Sequence, residues 1–442
     1  MLLDFTVENY RSIKEPVTLS AIAQKPSRRK TSESSKRKGI KSDHEIAPGY
    51  YVEGWDIEVL PVLAIFGANA SGKSNVIQAL DYLLMMMSPG IHEIKAMGVH
   101  KLIKYAKLDP FKLDSIYAQK STKFELRTLF DDNIYTYSLE INQHRVISEK
   151  LDYSLHTTKR TRRLFYRQWD ENSKKFIWKI GSDFSGPHNQ LQSSIKETEL
   201  FISILIQLEI NIVKKLFNWI KTRNPGVNLG IEKLDLTTMN YVIQQMKAST
   251  SNIVLKECLK IIQQFDTGLS RIELRKKFEE DFEYNIYAVH TTHEGDEIEW
   301  LLDEESLGTQ RLLYWAFQIV ITLNNVGRLI IVDELGTNIH PNIVKYIIKM
   351  FQNPKTNPKN AQLIFTSHDN TLQRNNLLRR DQIWFTQKRP DHSTELYPLT
   401  DFHVRNDLAI DKAYLDGRFG AVPFLPSDET MILQGDEECP ES

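Results

Sequence analysis

At 442 residues, with 41% hydrophobic and 26% charged residues, the chain has the composition of an ordinary globular protein and the length for two or three domains. Its net charge of -1 argues against a generally basic nucleic-acid binder, and its two distant cysteines, Cys258 and Cys439, exclude a disulfide framework or a cysteine metal cluster. No apolar run approaches the length of a bilayer span, and the chain opens on a strand pattern instead of a signal segment, so a cytoplasmic protein with no membrane contact is expected.

Residues 3–10 alternate apolar and polar, the mark of a half-buried strand, and residues 17–22 read as its return after a turn at Arg11-Ser12-Ile13-Lys14. Residues 25–41 carry eight cations and one acid. A solvated loop is the simpler reading, and a contact to nucleic acid or an acidic partner is the alternative. Val62-Leu63-Ala64-Ile65-Phe66 then reads as a buried parallel strand running into Gly67-Ala68-Asn69-Ala70-Ser71-Gly72-Lys73-Ser74. That octet fits G-x-x-x-x-G-K-[ST], a loop whose inward N–H groups cradle phosphate. Gly67 and Gly72 permit the turn, Lys73 brings charge to the β- and γ-phosphates, and Ser74 can ligate Mg²⁺. A helix from Asn75 to Met87 follows, with its positive end toward the anion and Met85-Met86-Met87 as helix-end core.

Residues 124–141 predict a hairpin around Asp131-Asp132-Asn133, with further strands over 146–155 and 175–180. Arg160, Arg162, Arg163 and Arg167, interleaved with Phe165, Tyr166 and Trp169, suit either a nucleic-acid stripe or a strand pair with an exposed basic face. Residues 191–265 switch to helical spacing, broken at Asn224-Pro225-Gly226, and read as a helical insertion without coiled-coil heptads.

Three short stretches follow. Glu305-Ser306-Leu307-Gly308-Thr309-Gln310-Arg311 precedes an apolar helix over 312–323, whose exposed N-terminus suits an anion, although an ordinary cap explains it equally. Arg328-Leu329-Ile330-Ile331-Val332-Asp333-Glu334 is an apolar strand ending in two acids. Such a strand delivers carboxylates to the sheet edge where phosphates bind, so Asp333 would help hold Mg²⁺ and Glu334 would polarise the attacking water. Gln362-Leu363-Ile364-Phe365-Thr366-Ser367-His368-Asp369 is a second such strand, and places His368 to meet the γ-phosphate or that water.

In this order the segments resemble the ATP-binding-cassette ATPases, in the branch containing the SMC and RecF proteins: phosphate loop, signature, acidic strand, switch histidine. The opening Phe5-x-Val7-Glu8-Asn9-Tyr10-Arg11-Ser12, Gly72-Lys73-Ser74-Asn75, and Asp333-Glu334 followed by Ile339-His340-Pro341 share the likeness. Within that branch the chain resembles the stand-alone ATPases of prokaryotic phage defence, of the RloA and abortive-infection AbiL type, related to the ATPase part of OLD proteins. Ile383-Trp384-Phe385, Leu396-Tyr397-Pro398-Leu399 and Tyr414-Leu415-Asp416-Gly417-Arg418-Phe419-Gly420-Ala421-Val422-Pro423 carry this narrower likeness.

The resemblance implies an α/β fold: a P-loop core with a mixed sheet, a β-rich N-terminal lobe and the helical insertion. It divides the chain into residues 1–190, 191–265, 266–400 and a 401–442 extension with an acidic tail. It implies ATP and Mg²⁺ as cofactors, with catalytic roles for Lys73, Glu334 and His368 and metal ligation by Ser74 and Asp333. Nucleotide contacts would come from Arg11, Ser12, Gly67, Asn69, Ser71, Gly72, Lys73, Ser74 and Asn75. Ser306, Gly308, Thr309 and Gln310 would meet ATP on an opposite subunit, although Leu307 and Thr309 depart from the family's Ser-Gly-Gly-Gln. The family's glutamine switch falls on Gln119, Gln143, Gln190 or Gln192. An ATP-sandwich dimer or higher oligomer is expected, controlling a separately encoded nuclease or Toprim-like effector, with nucleic acid or a phage component as trigger. The alternative is a DNA-maintenance ATPase of RecF or SMC type. A transporter subunit fits poorly, because the N-terminal hairpin and long insertion do not suit one.

Overall fold

The alternation of β1 (Leu2–Glu8) is realised as burial of Leu3, Phe5 and Val7, with Asp4, Thr6 and Glu8 half-buried. It pairs antiparallel with β2 (Val17–Ser20), Phe5 opposite Leu19. Asn9 and Arg11 in the connecting turn have φ of 54° and 50°. Asn is one of the few residue types that tolerate the left-handed region, and this one is fully buried. Its Nδ2 donates to the Tyr117 and Lys120 carbonyls and its Oδ1 accepts from Phe111 N.

The computed structural model describes residues 1–24, 49–88, 108–184, 188–208, 219, 252–265, 268–276, 284–324, 327–337, 339–374, 377–405 and 408–423. The basic 25–41 segment, most of the expected helical insertion and the acidic tail lie outside these residues. In chain order, a short hairpin of β3 (Tyr50–Val52) and β4 (Ile57–Val59) precedes β5 (Val62–Gly67) and α1 (Lys73–Met87). Strands β6 (Thr122–Phe130), β7 (Asn133–Ile141), β8 (Val146–Ser154), β9 (Thr161–Asp170) and β10 (Lys175–Ile180) follow. With β1 and β2 they form a seven-stranded antiparallel sheet ordered β10-β9-β8-β7-β6-β1-β2. The acidic hairpin turn is the expected one: Asp131 and Asp132 take φ of 45° and 60°, the two positive values a tight two-residue hairpin requires.

Helices α2 (His188–Ser194), α3 (Phe201–Gln207) and α4 (Asn252–Gln263) belong to the helical stretch. A separate three-stranded antiparallel sheet follows, β11 (Leu269–Lys276), β12 (Tyr284–Thr291) and β13 (Glu297–Leu301), leading into α5 (Leu307–Leu323). The sequence reading does not resolve this sheet within residues 266–303. The remainder is β14 (Leu329–Val332), α6 (Pro341–Gln352), β15 (Gln362–Thr366), β16 (Ile383–Lys388), β17 (Thr394–Pro398) and α7 (Ile410–Leu415).

The five-stranded sheet β14-β15-β5-β16-β17 is the α/β P-loop core: β5 lies at its centre between parallel β15 and β16, and only β17 runs antiparallel. Every residue of β5 is buried, as in a strand covered on both faces. Leu63 and Ile65 pack with Val76, Leu80 and Leu83 of α1 and with Phe5 and Leu126 of the large sheet. Val62, Ala64 and Phe66 pack the opposite way, with Leu313 and Phe317 of α5 and Ile347 and Phe351 of α6. Buried Gln362 fastens the two sheets, accepting from Leu2 N at 2.6 Å and donating to the Leu2 and Leu60 carbonyls.

The arginines of β9 do not form a free cationic stripe. Arg162 pairs with Asp183 at 2.9 Å and Arg163 with Asp152 at 3.0 Å. Arg167 is fully buried against Glu149 at 2.7 Å, under the rings of Phe176 and Trp178. Glu149 also accepts the Phe201 and Ile202 N–H groups at the start of α3 and the Tyr137 hydroxyl. The pair therefore anchors the helical stretch to the sheet.

Candidate functional site

The turn after β5 needs both its glycines. A Cβ on Gly67 would lie 2.5 Å from the Thr386 carbonyl, and one on Gly72 would lie 2.0 Å from Thr394 Oγ1. Gly72 in addition has φ of 107°. Asn69 and Ala70 stand exposed at the tip, while Ser71 is buried and its Oγ meets Thr386 Oγ1 at 2.6 Å. Lys73 folds back over the loop, donating to the Gly67 and Ala68 carbonyls at 2.8 and 3.0 Å. Burial pulls its pKa down against the opposing pull of Asp333 and Glu334. A largely buried cation with its carboxylates at one remove, above a cradle that a side chain would fill, fits a phosphate chain.

A relay fixes the loop from the other side. Asn75 Nδ2 donates to Ser12 Oγ at 2.6 Å, Ser12 Oγ meets Thr394 Oγ1 at 2.7 Å, and Thr394 Oγ1 donates to the Ser71 carbonyl at 3.0 Å. Thr394 N–H in turn donates to the Ser12 carbonyl, so β17 holds the β1–β2 turn against the phosphate loop. Arg11 donates to Gln78 of α1. Together with Ser12, Phe111, Lys388 and His392 it lines a cavity of about 300 Å³ beside that helix.

The two acidic positions converge on the same loop through one hydroxyl. Ser74 Oγ donates to Asp333 Oδ1 at 3.1 Å, and Thr366 Oγ1 donates to the same oxygen at 2.7 Å. Glu334 N–H donates to Thr366 Oγ1, also at 2.7 Å. Fully buried Thr366 at the end of β15 thus orients both acids. Glu334 takes φ of 57°, and its Oε1 stands 3.8 Å from His368 Nε2, with both side chains about half exposed. Partial burial, then the nearby Lys73 charge, lowers the His368 pKa against the pull of Glu334 and Asp333. The hydroxyl–carboxylate pair of Ser74 and Asp333 is an oxygen donor set suited to Mg²⁺.

Ser306 is the N-cap of α5, its Oγ accepting from Thr309 N–H at 3.1 Å and meeting Thr309 Oγ1 at 2.9 Å. Gln310 turns its amide back onto the Asp303 and Glu305 carbonyls. Ser306, Leu307 and half-buried Gly308 are therefore what this helix end presents outward. Among the described residues, no hydrogen bond or ion pair joins Ser306–Gln310 to Gly67–Asn75 of the same chain. Arg311 does reach the acidic segment, donating to the Thr337 carbonyl at 2.9 Å.

Other sequence features have local roles. His340 caps α6 ahead of Pro341. The Tyr414–Pro423 motif packs beneath β16: Phe385 and Tyr414 stack at 5.3 Å, Tyr397 OH donates to the Phe419 carbonyl, and Ala421 N–H donates to Gln387 Oε1. Of the glutamine-switch candidates, Gln143 donates weakly to the Leu108 carbonyl, Gln119 ends a 3₁₀ turn, and Gln190 and Gln192 lie in α2. Sequence reasoning does not single out Thr366, Thr386, Thr394 or Gln78. Only Thr366, two residues before His368, leaves a local signal.

A family model described as "AAA domain, putative AbiEii toxin, Type IV TA system" matches residues 62–374. No curated protein matches the chain. Solved structures similar to it include the SMC head bound to the C-terminal winged-helix domain of ScpA (12% identity, TM-score 0.41, 94% of this chain and 99% of that one). The SMC head domain from Thermotoga maritima is 11% identical with a TM-score of 0.39, covering 90% and 98%. The Smc head with an extended coiled coil bound to the C-terminal domain of ScpA, derived from Pyrococcus furiosus, is 12% identical with a TM-score of 0.41, covering 95% and 98%.

Proposed function

Because the chain belongs to the family described as "AAA domain, putative AbiEii toxin, Type IV TA system", we propose that it is an ATP-hydrolysing switch whose two copies close around ATP. The observation that carries this reading is the gathering of Asp333, Glu334 and His368 beside the loop that bears Lys73 and Ser74, with Asp333 bonded to Ser74 and the two acids joined through the Thr366 hydroxyl. Lys73 and the loop N–H groups hold the β- and γ-phosphates, and Ser74 and Asp333 hold Mg²⁺, which neutralises phosphate charge. Glu334 accepts a proton from the attacking water, and His368 orients that water or the γ-phosphate. Ser306 and Gly308, unconnected to their own chain's loop, complete the site of a second copy.

The likeness to the RloA, AbiL and OLD-type ATPases supports a role as sensor or regulator in anti-phage defence, acting on a separate nuclease or Toprim-like effector. Direct DNA clamping receives less support, since Arg162, Arg163 and Arg167 are engaged by acids. The test is Glu334→Gln. With Mg²⁺ and ATP it should accumulate as a dimer with little phosphate release, read by mass photometry and steady-state turnover. Turnover at the parental rate would rule out Glu334 as the base.

A further inference from the structure

The segment just before the signature helix is held more firmly than a helix start requires. Glu305 precedes the N-cap Ser306, yet its side chain is only 9% exposed. Its Oε1 accepts from His290 Nε2 at 2.6 Å and from Trp300 Nε1 at 2.8 Å. The two donors come from neighbouring strands, β12 and β13, and their rings stack at 4.4 Å with planes 16° apart. The Glu305 carbonyl accepts the Gln310 amide, so the residue is tied to the sheet by its side chain and to α5 by its backbone.

The charge explains why such a clamp matters. A helix N-terminus attracts an anion through its unpaired N–H groups and its dipole. A free carboxylate one residue upstream would compete for those groups and repel phosphate. Two N–H donors on a single oxygen draw the Glu305 charge into the sheet and away from Ser306 and Gly308.

We propose that His290 and Trp300 are positioning residues for the composite ATP site: by sequestering the Glu305 carboxylate they keep the signature helix end open to the phosphates of the partner's nucleotide. The inference rests on the ATP-sandwich reading above. It makes the β11–β13 sheet a determinant of dimer closure.

The experiment measures the ATP concentration at half-maximal dimerisation by mass photometry, in a Glu334→Gln background that suppresses turnover. His290→Ala should raise that concentration about tenfold, equivalent to about 1.4 kcal/mol. Adding Glu305→Gln to His290→Ala should bring it back to within about threefold of the parent, because the released group no longer carries charge. Trp300→Phe keeps the ring, removes one donor and should give a smaller shift in the same direction; it stands in if His290→Ala fails to fold. A purely structural role predicts that the double variant is no better than His290→Ala, and that result overturns the proposal. So does unchanged dimerisation of His290→Ala or, where that variant does not fold, of Trp300→Phe. If the Glu334→Gln parent never dimerises with ATP, the sandwich reading itself fails, and the clamp with it.

Discussion

Thr366→Val is the sharpest perturbation of the proposed catalytic centre, because it deletes one oxygen and little volume from a fully buried position. That oxygen accepts the Glu334 N–H and donates to Asp333, both at 2.7 Å. Leaving the N–H without a partner costs about 1–3 kcal/mol, and a hydrogen bond to a charged carboxylate contributes about 1.5–3 kcal/mol. The loss in global stability should be about 2 kcal/mol, since water reaches the half-exposed Glu334 more readily than the core. The functional loss should be larger than that figure suggests. Glu334 sits at φ of 57°, a backbone state that for a non-glycine residue costs on the order of 1 kcal/mol and persists only when its surroundings impose it. Freed from Thr366, its carboxylate shifts, and a misplacement of about 1 Å costs about 100-fold, near 2.7 kcal/mol of barrier. Phosphate release under saturating Mg²⁺ and ATP should therefore fall about 10- to 100-fold in Thr366→Val, while affinity for nucleotide measured without Mg²⁺ stays within a few-fold because, among the described residues, Thr366 makes no hydrogen bond with Lys73 or the loop backbone. Thr366→Ser, which keeps the hydroxyl, should restore most of the rate. A Thr366→Val rate within twofold of the parent, or a serine variant no better than valine, would refute the reasoning.

Gly72→Ala should weaken ATP binding more than tenfold in a fluorescent-nucleotide titration: its Cβ meets Thr394 Oγ1 at 2.0 Å and its φ is 107°. Trimming Thr394 as well removes only the first problem, so full recovery in that double variant would count against the strained turn. Glu149→Ala leaves Arg167 buried without its partner and uncaps α3, and should cost about 3–5 kcal/mol in urea unfolding; a change below about 1 kcal/mol would show that the anchor is dispensable. His368 is held below its ordinary 6.5 by burial and by Lys73, so the acid limb that its protonation produces in kcat/KM should be centred below pH 6.5. An acid limb centred above 6.5 that disappears in His368→Gln would contradict this.

The sequence legibly specifies what is local. A buried apolar run, two glycines at fixed spacing and a following helix define the phosphate loop, because a tight turn of inward N–H groups has few other solutions. The ends of β14 and β15 bring Asp333 and His368 to one sheet edge for the same kind of reason, since parallel strands side by side expose their C-terminal ends together. The alternation of β1 and the acidic hairpin are equally direct. Arg162, Arg163 and Arg167 show the limit: their spacing marks one strand, but Asp183, Asp152 and Glu149 lie at other positions that only pairing brings alongside. Thr386 and Thr394 meet Ser71 and Gly72 from more than 300 residues away, and nothing in their own neighbourhood announces it.

By itself, then, the sequence determined that this chain folds around a phosphate-binding loop served by an acidic strand and a histidine strand. Periodicity and turn chemistry act over a few residues, and those motifs are written within a few residues. Only the tertiary structure decided how the loop is held, through Thr366 between the two acids and through Thr394 and Ser12 across its back, and how His290 and Trp300 clamp Glu305 ahead of α5. Periodicity specifies which face of an element is buried, whereas the partner that meets that face is set by packing among elements far apart in the chain.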